Sequence, residues 1–181
     1  MGRQVRKAIL PLSVIAGAAL LSMLAPATAK ERPNMNDQQL EQLRGEVNDL
    51  LDREAIRQLP ITYSHLVRTR DIDGIVNLFT ADGELILSDN IGQGTGAKGS
   101  SALRTFYDKS ISNTDPWPFI HNHHIVMLGN GRAKGYVYVE LRFGSQDFRT
   151  TTIGVYEDEY EKKDGSWKFR SRRFTGTPVK F

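Results

Sequence analysis

The chain has 181 residues, of which 25% are charged and 39% hydrophobic, with 16 Gly, 7 Pro and no Cys. This composition is typical of a globular protein with room for one domain, and it excludes the collagen-like, disordered and disulfide-scaffold classes. The net charge of +3 comes from three basic residues in residues 1–29, so the remainder carries 21 basic and 21 acidic residues and has no bulk charge to attract nucleic acid.

Residues 1–29 have the arrangement of a secretory signal peptide. Three basic residues precede an apolar run over residues 8–25, and the small residues 27–29 follow it as a cleavage site. The alternative is a retained membrane anchor, because the run is close to the ~18 residues that a span needs, but two prolines interrupt it. We therefore expect cleavage, a linker over residues 30–36, and a mature protein that is periplasmic or secreted and makes no membrane contact.

Two helices are predicted next along the chain. Apolar residues recur at helical spacing after Asp37, and Pro60 should kink or restart this first helix. Asp71 is placed to cap a second, short helix, which we expect to end at residues 81–83.

A glycine-rich loop over residues 92–99 separates a short predicted strand, residues 84–88, from a third predicted helix that begins at Ser100. Gly94, Gly96 and Gly99 have the spacing of a dinucleotide-binding fingerprint. A second parallel strand and an acidic partner about twenty residues on are both missing from the pattern. We therefore expect no nucleotide here, and interpret the loop as a flap over a cavity mouth.

Everything after Trp117 is predicted to form strands. The turn signals Asn130-Gly131 and Asp164-Gly165 predict two hairpins. Their strands cover residues 121–128, 133–143, 148–162 and 167–174.

The second of these hairpins can be aligned on its two-residue turn. Opposed residues then carry opposite charges along one face, and each such pair contributes roughly 0.2–1 kcal/mol. The predicted pairs are Glu161 with Lys168, Glu159 with Arg170, Glu157 with Arg172 and, on the other face, Tyr160 with Phe169.

Helices followed by an antiparallel sheet with one aromatic-rich face predict an α+β fold. Such a sheet must curl around the helices to bury both. The space between the two layers is the expected ligand cavity.

The motifs of both halves resemble those of SnoaL-like domains, in the nuclear-transport-factor-2-like superfamily with scytalone dehydratase, steroid delta-isomerase and polyketide cyclases. The first half contributes Arg53-Glu54-Ala55-Ile56-Arg57, Tyr63, Asp71-x-Asp73-Gly74 and Leu78-Phe79-Thr80-Ala81-Asp82-Gly83. The second contributes Asn122-x-x-Ile125, Gly135-x-x-Tyr138, Gly154-x-Tyr156-x-Asp158-x-Tyr160, Gly165-x-Trp167-Lys168-Phe169 and Arg172-Arg173.

The resemblance covers about residues 38–174. It implies a cone-shaped barrel of N-terminal helices packed on a curved, mainly antiparallel sheet, with an apolar pocket. It also implies a homodimer packed through the sheet. On this basis we expect the domain to span residues 37–176, with a C-terminal tail over residues 177–181.

Dehydratases of this family use an Asp late in the first helix and a His that opens the motif His-x-x-x-Asn. Aligned on Tyr63 and Asn122, those two positions hold Arg68 and Pro118. The family's acid–base pair is therefore absent, and catalysis by its familiar route is not predicted.

Three of the four histidines are clustered at residues 121–124, and a histidine suits general acid–base chemistry. A two-residue turn at residues 130–131 would place His121 opposite Glu140 and His123 opposite Tyr138, with Asn122 and His124 on the other face. A carboxylate beside His121 would raise its basicity. The alternatives are that Asn122 and His124 line the pocket, or that the cluster lies at a dimer interface.

The candidate site residues follow from these patterns. Those predicted to act in catalysis are His121 and His124 as bases and Tyr63 as the group that polarises a carbonyl or hydroxyl. Those predicted to bind ligand are Asn122, Arg68, His123, Glu140, Trp117, Tyr138 and Tyr156. Neither a metal nor another cofactor is expected, because no Cys exists and no further ligand lies at a supportive spacing from the histidines.

Two functions fit these observations. The first is an exported domain that binds a small apolar or cyclic metabolite and acts as a cofactor-free lyase or isomerase by proton transfer. The second is a non-catalytic domain that carries a ligand or forms a dimer. The missing acid–base pair favours the second, and the clustered histidines favour the first.

Overall fold

The computed structural model describes residues 36–88 and 96–180, without the side chains of Thr150 and Lys180. The predicted signal peptide, nearly all of the predicted linker, and residues 92–95 of the predicted flap lie outside the described residues. Within the described ranges, no helix is both long and apolar enough to cross a membrane.

Three helices precede most of the sheet, as the sequence predicts. They are α1 (Asp37–Thr69), α2 (Ile72–Asn77) and α3 (Ser100–Thr114). Helix α1 continues through Pro60, so the predicted restart is absent. Its buried residues begin only at Ile56, whereas Leu50 is 65% exposed; the helix therefore packs against the sheet along its second half.

Helix α2 begins as predicted, since the Asp71 carboxylate accepts a hydrogen bond from the Gly74 N–H at 2.8 Å. It ends earlier than predicted, because Phe79 already belongs to a strand. Phe79 pairs with Phe169, and the two ring centroids are 5.3 Å apart. Contact with the last strand overrides the local helical pattern at this point.

In the described residues the sheet has six strands, in the order β2-β1-β6-β5-β4-β3. All neighbours are antiparallel except β1 and β6, which confirms the predicted α+β fold with a curved, mainly antiparallel sheet. The strands are β1 (Phe79–Leu87), β2 (Ala97–Lys98), β3 (Pro116–Gly129), β4 (Arg132–Phe143), β5 (Thr150–Lys163) and β6 (Ser166–Lys180). A short 3-10 turn, Gly144–Gln146, joins β4 to β5.

Strand β6 extends beyond the predicted end of the domain. It pairs with β5 as far as Lys180 opposite Thr150. Residues 177–180 are therefore part of the sheet, and the predicted boundary with a tail at residue 176 is wrong.

The predicted register of the first hairpin is wrong. One irregularity near the turn makes Val126 oppose Lys134, and a second lies between Ile120 and His123. Glu140 consequently faces Phe119, and His123 faces Val137. A turn signal fixes only the pairs beside it, because each extra residue in one strand shifts every pair beyond it.

The second hairpin follows the predicted register only near its turn. Glu161 opposes Lys168 and Tyr160 opposes Phe169, as predicted. A bulge then shifts the pairing by one residue between Glu159 and Tyr160. Glu159 therefore opposes Ser171 rather than Arg170, although Arg170 still reaches its carboxylate at 3.4 Å.

The same shift changes the face on which the next residues lie. Glu157 opposes Arg173 instead of Arg172, and Arg172 opposes Asp158. Both Arg172 and Asp158 are buried in the interior, at 0% and 2% exposure. A one-residue bulge thus turns a predicted surface charge into a core residue.

Candidate functional site

A cavity of about 310 Å³ lies between the helices and the concave face of the sheet. Most of its lining is apolar or aromatic, and none of the described lining residues carries a formal charge. Its size is at the lower end of the range for small-molecule sites. The lining residues are Tyr63, Val67, Leu85, Leu87, Phe106, Tyr107, Ser110, Ile111, Thr114, Pro116, Pro118, Leu141, Phe143, Gln146, Thr152, Tyr156, Phe174 and Pro178.

Three buried tyrosines, Tyr63, Tyr107 and Tyr156, line this cavity. The Tyr63 and Tyr107 hydroxyl oxygens are 3.1 Å apart, and one donates to the other. The rings of Tyr63 and Tyr156 pack edge to face with centroids 6.0 Å apart. Burial raises the pKa of all three phenols, so they stay protonated and act as hydrogen-bond donors rather than as bases.

A buried ion pair lies behind these rings. Arg172 donates from Nε to Asp158 Oδ1 and from Nη2 to Asp158 Oδ2, each at 2.9 Å. Both side chains are fully shielded from solvent. The paired carboxylate raises the pKa of the guanidinium against the cost of burial, so the guanidinium stays charged.

Three aromatic rings surround the buried cation. The Arg172 Cζ lies 4.0 Å from the ring centroid of Tyr156, 4.1 Å from that of Phe169 and 4.4 Å from that of Tyr63. The third nitrogen of the guanidinium, Nη1, has no hydrogen-bond acceptor in the described part of the chain. The rings of Tyr63 and Tyr156 therefore separate the positive charge from the cavity and are polarised by it.

The ion pair continues into a chain of hydrogen bonds. The Tyr160 hydroxyl donates to Asp158 Oδ2 at 2.9 Å, and His123 Nε2 lies 3.0 Å from the Tyr160 oxygen. Since Tyr160 uses its proton on the carboxylate, His123 must donate from Nε2, and Nδ1 carries the lone pair. Burial lowers the pKa of His123 to about 4, with Asp158 opposing and Arg172 reinforcing that shift.

The structure separates the residues predicted to act in catalysis. Tyr63 lines the cavity. His121 is exposed beside the bulge of β3, and His124 lies on the outer face of the sheet, stacked on Tyr136 with centroids 5.1 Å apart. Neither histidine lines the cavity that Tyr63 lines.

The residues predicted to bind ligand are dispersed as well. Tyr156 lines the cavity, and His123 belongs to the buried chain of hydrogen bonds. Asn122 is exposed at the bulge, and Tyr138 is 50% exposed on the outer face.

The predicted pairing of His121 with Glu140 is wrong, because the register shifts by one residue at each irregularity of β3. Glu140 instead accepts a hydrogen bond from Arg142 at 2.6 Å. Arg68 is exposed and stacks over half-buried Trp117 at 4.6 Å, so neither side chain enters the cavity.

The cavity wall has a proline, Pro118, where the family resemblance implies an acid–base residue. Pro118, at the position where the family resemblance leads one to expect a catalytic histidine, is buried and lines the cavity. Across the described lining, no carboxylate or imidazole is present to take up or deliver a proton. The cavity offers neutral donors and an apolar wall, which suit binding of an uncharged ligand.

A metal centre is not formed by the described residues. Within residues 36–88 and 96–180, no group of three or more His, Asp and Glu side chains lies close enough to hold an ion.

Comparison with known proteins agrees with the fold. The family model described as a SnoaL-like domain matches residues 48–173. No curated protein matches this chain in sequence.

Several solved structures share the architecture. A provisionally assigned scytalone dehydratase from Novosphingobium aromaticivorans is 22% identical, with a TM-score of 0.65 over 74% of this chain and 89% of its own. A hexachlorocyclohexane dehydrochlorinase, LinA type 2, is 20% identical, with a TM-score of 0.64 over 74% of this chain and 93% of its own. At these identities the likeness concerns the fold alone.

Proposed function

This chain belongs to the SnoaL-like domain family, and from that premise we propose that it binds a small, uncharged, cyclic metabolite in its central cavity. The observation that carries the proposal is the composition of the cavity: an apolar wall with a pair of hydrogen-bonded phenols and no charged residue in its described lining. A carbonyl or hydroxyl oxygen on the ligand would accept from Tyr63 or Tyr107, and its ring would contact the apolar wall.

The charge distribution favours this ligand class. An anionic ligand would find no cation in the described lining, because Arg172 is screened by the rings of Tyr63 and Tyr156 and paired with Asp158. The buried cation on the ring faces makes the phenols better donors to an acceptor oxygen. A neutral ketone or alcohol meets both conditions.

Binding is favoured over catalysis by the absence of a base from the described lining. A lyase or isomerase acting by proton transfer needs a group with a pKa near the working pH within reach of the reacting atom. The raised pKa values of the tyrosines make them unsuitable for that role. We propose that the domain acts as an exported binding protein, with residues 1–29 as its signal peptide.

A matched pair of ligands tests the proposal. We expect 1-indanone to bind saturably in calorimetry and indane, which lacks the oxygen, to bind more weakly. Tyr63→Phe should weaken 1-indanone binding by about 3–10-fold, since one hydrogen bond is lost. Ser110→Phe should weaken it strongly by placing a ring inside the cavity, because Ser110 is a lining residue.

Tyr136→Phe is the matched control, since this tyrosine is 41% exposed on the outer face of the sheet. Its affinity for 1-indanone should equal that of the unmodified protein. Equal binding of indane and 1-indanone, or unchanged binding in Ser110→Phe, would contradict the proposal. Conversion of a ketone or hydroxyketone by the protein would instead support the lyase or isomerase alternative.

We also propose that the outer face of the sheet forms a homodimer interface. Large apolar side chains are exposed there, which is the property expected of an interaction surface. They include Phe119, Val126, Leu128, Tyr136, Tyr138 and Ile153.

Sedimentation velocity tests the dimer. Tyr138→Glu should shift the protein towards monomer, because a buried unpaired carboxylate is costly. Leu50→Glu introduces the same charge at a 65% exposed position of α1 and should leave the assembly unchanged. An unmodified protein that sediments as a monomer at all concentrations would refute the interface.

A further inference from the structure

A second concave site lies between α1 and β3, apart from the central cavity. It is a groove of about 450 Å³, and among the described residues it shares no lining residue with the cavity. Its lining consists of Arg57, Pro60, Ile61, Ser64, Ile120, His121 and His123. No function assigned above uses this groove.

The irregularity of β3 creates the groove's floor. The pairing with β4 shifts between Ile120 and His123, so the regular alternation of faces is interrupted there. As a result Ile120, His121 and His123 all line the same groove. Bulges commonly re-aim side chains beside functional sites.

The groove combines an apolar wall with a cation. Pro60, Ile61 and Ile120 supply the wall, and Ile61 remains 48% exposed. Arg57 is the permanently charged residue of the described lining, which contains no carboxylate. This combination fits a molecule with an apolar body and one negative charge.

Arg57 has hydrogen-bonding capacity to spare. Its Nη1 donates to Glu54 at 2.9 Å, and both side chains are 52% exposed. An exposed ion pair of this kind is weak, and a guanidinium has five N–H donors. A second carboxylate can therefore be bound without removing the first.

Other polar side chains of the groove already make hydrogen bonds within the protein. The Ser64 hydroxyl donates to the Pro118 carbonyl at 2.9 Å, and His123 is bonded through Nε2 to Tyr160. His123 Nδ1 is buried and has no partner among the described residues. The imidazole of His123 is therefore a sensitive reporter for a molecule that enters the groove.

We propose that this groove is a second binding site, for a small carboxylate that carries an aromatic or aliphatic body. The carboxylate bonds Arg57, with His121 beside it, and the body packs on Ile61 and Ile120. The proposal stands apart from the central cavity, whose ligand class is uncharged.

Benzoate is the probe, and the imidazole resonances of His123 in NMR spectra are the readout. We expect benzoate to shift the His123 resonances saturably and to leave those of His124, on the outer face, unchanged. Benzamide has the same shape without the charge and should bind much more weakly. Arg57→Gln should weaken benzoate binding by about tenfold or more, because a charge-assisted hydrogen bond is lost.

Two control variants test whether benzoate binds in this groove rather than elsewhere on the protein. Arg44→Gln breaks an equivalent i,i+3 pair on α1, with Glu41, at 62% exposure and should leave benzoate affinity unchanged. Ser110→Phe, which narrows the central cavity, should also leave benzoate affinity unchanged; weakened 1-indanone binding with retained benzoate binding separates the two sites. The proposal is overturned if benzoate gives no saturable shift, if benzamide binds equally well, or if Arg44→Gln weakens binding as much as Arg57→Gln.

Discussion

Replacement of Asp158 with alanine is expected to lower the free energy of unfolding by about 3–5 kcal/mol. The carboxylate is 2% exposed and receives three hydrogen bonds, two from Arg172 and one from Tyr160. Without it, a guanidinium that is fully buried would keep its charge with no counterion. Urea-induced unfolding followed by far-UV circular dichroism measures the change.

Glu159→Ala is the matched control for this prediction. Glu159 lies next to Asp158 on β5 and also pairs with an arginine, but its side chain is 57% exposed and the contact with Arg170 is 3.4 Å. Its loss should cost less than about 1 kcal/mol. An Asp158→Ala protein as stable as Glu159→Ala would show that the buried pair contributes little.

A double variant distinguishes two causes of the lost stability: loss of the attraction between Arg172 and Asp158, and the cost of leaving the Arg172 charge buried without a counterion. If the unpaired buried charge is the main cause, then Asp158→Leu combined with Arg172→Met should recover most of the stability lost by Asp158→Ala. An apolar pair of similar volume has no charge that must be desolvated on folding. Recovery in stability with weakened 1-indanone binding would further link the cation to the phenols Tyr63 and Tyr156.

The architecture was predictable because it depends on repeated, redundant signals. Helical periodicity is carried by many apolar residues, and each hairpin turn is marked by Asn or Asp followed by Gly, as in Asp164-Gly165. The start of α2 was predictable for a similar reason, since Asp71 caps it with its own side chain. Errors of one residue in such patterns do not change the fold class.

The candidate site was less predictable, because it depends on which face a residue occupies. No glycine or proline marks the bulge at Arg170 and Ser171, and the pairing of Glu157 with Arg172 has the same charge pattern as the true pairing with Arg173. Sequence reasoning therefore missed Asp158 and Arg172 as a buried pair. The available signal was an acid between two aromatic residues, Tyr156 and Tyr160, on a face that should be apolar.

Stability should fall as the pH is lowered from about 6.5 to about 4, and His123 should be responsible for part of that fall. Its pKa is about 4 in the folded protein, against an ordinary value of 6.5, because burial disfavours the charged ring. Between these two values the unfolded chain binds a proton that the folded chain does not, so the folded state loses stability. Stability from this source is complete above about pH 6.5 and lost below about pH 4.

The contribution of His123 is expected to be about 2 kcal/mol, since its partial exposure reduces the effect of the full shift. Asp158 favours the charged ring, whereas Arg172, Arg57 and His124 oppose it. His123→Gln keeps a group that can bond Tyr160 but does not titrate, and it should therefore lose about 2 kcal/mol less stability between pH 7 and pH 4.5 in urea unfolding.

The matched control for this prediction is His124→Gln, because His124 is exposed on the outer face of the sheet. This variant should keep nearly the full pH dependence, because His124 has the smallest influence on the pKa of His123. Both variants keep the same carboxylates. The difference in pH dependence of the free energy of unfolding between them therefore measures the contribution of the buried His123 ring. The free energy of unfolding could instead change with pH equally in His123→Gln and His124→Gln. In that case the folded protein accommodates the charged imidazole, and the chain of hydrogen bonds from His123 to Arg172 does not hold the ring neutral.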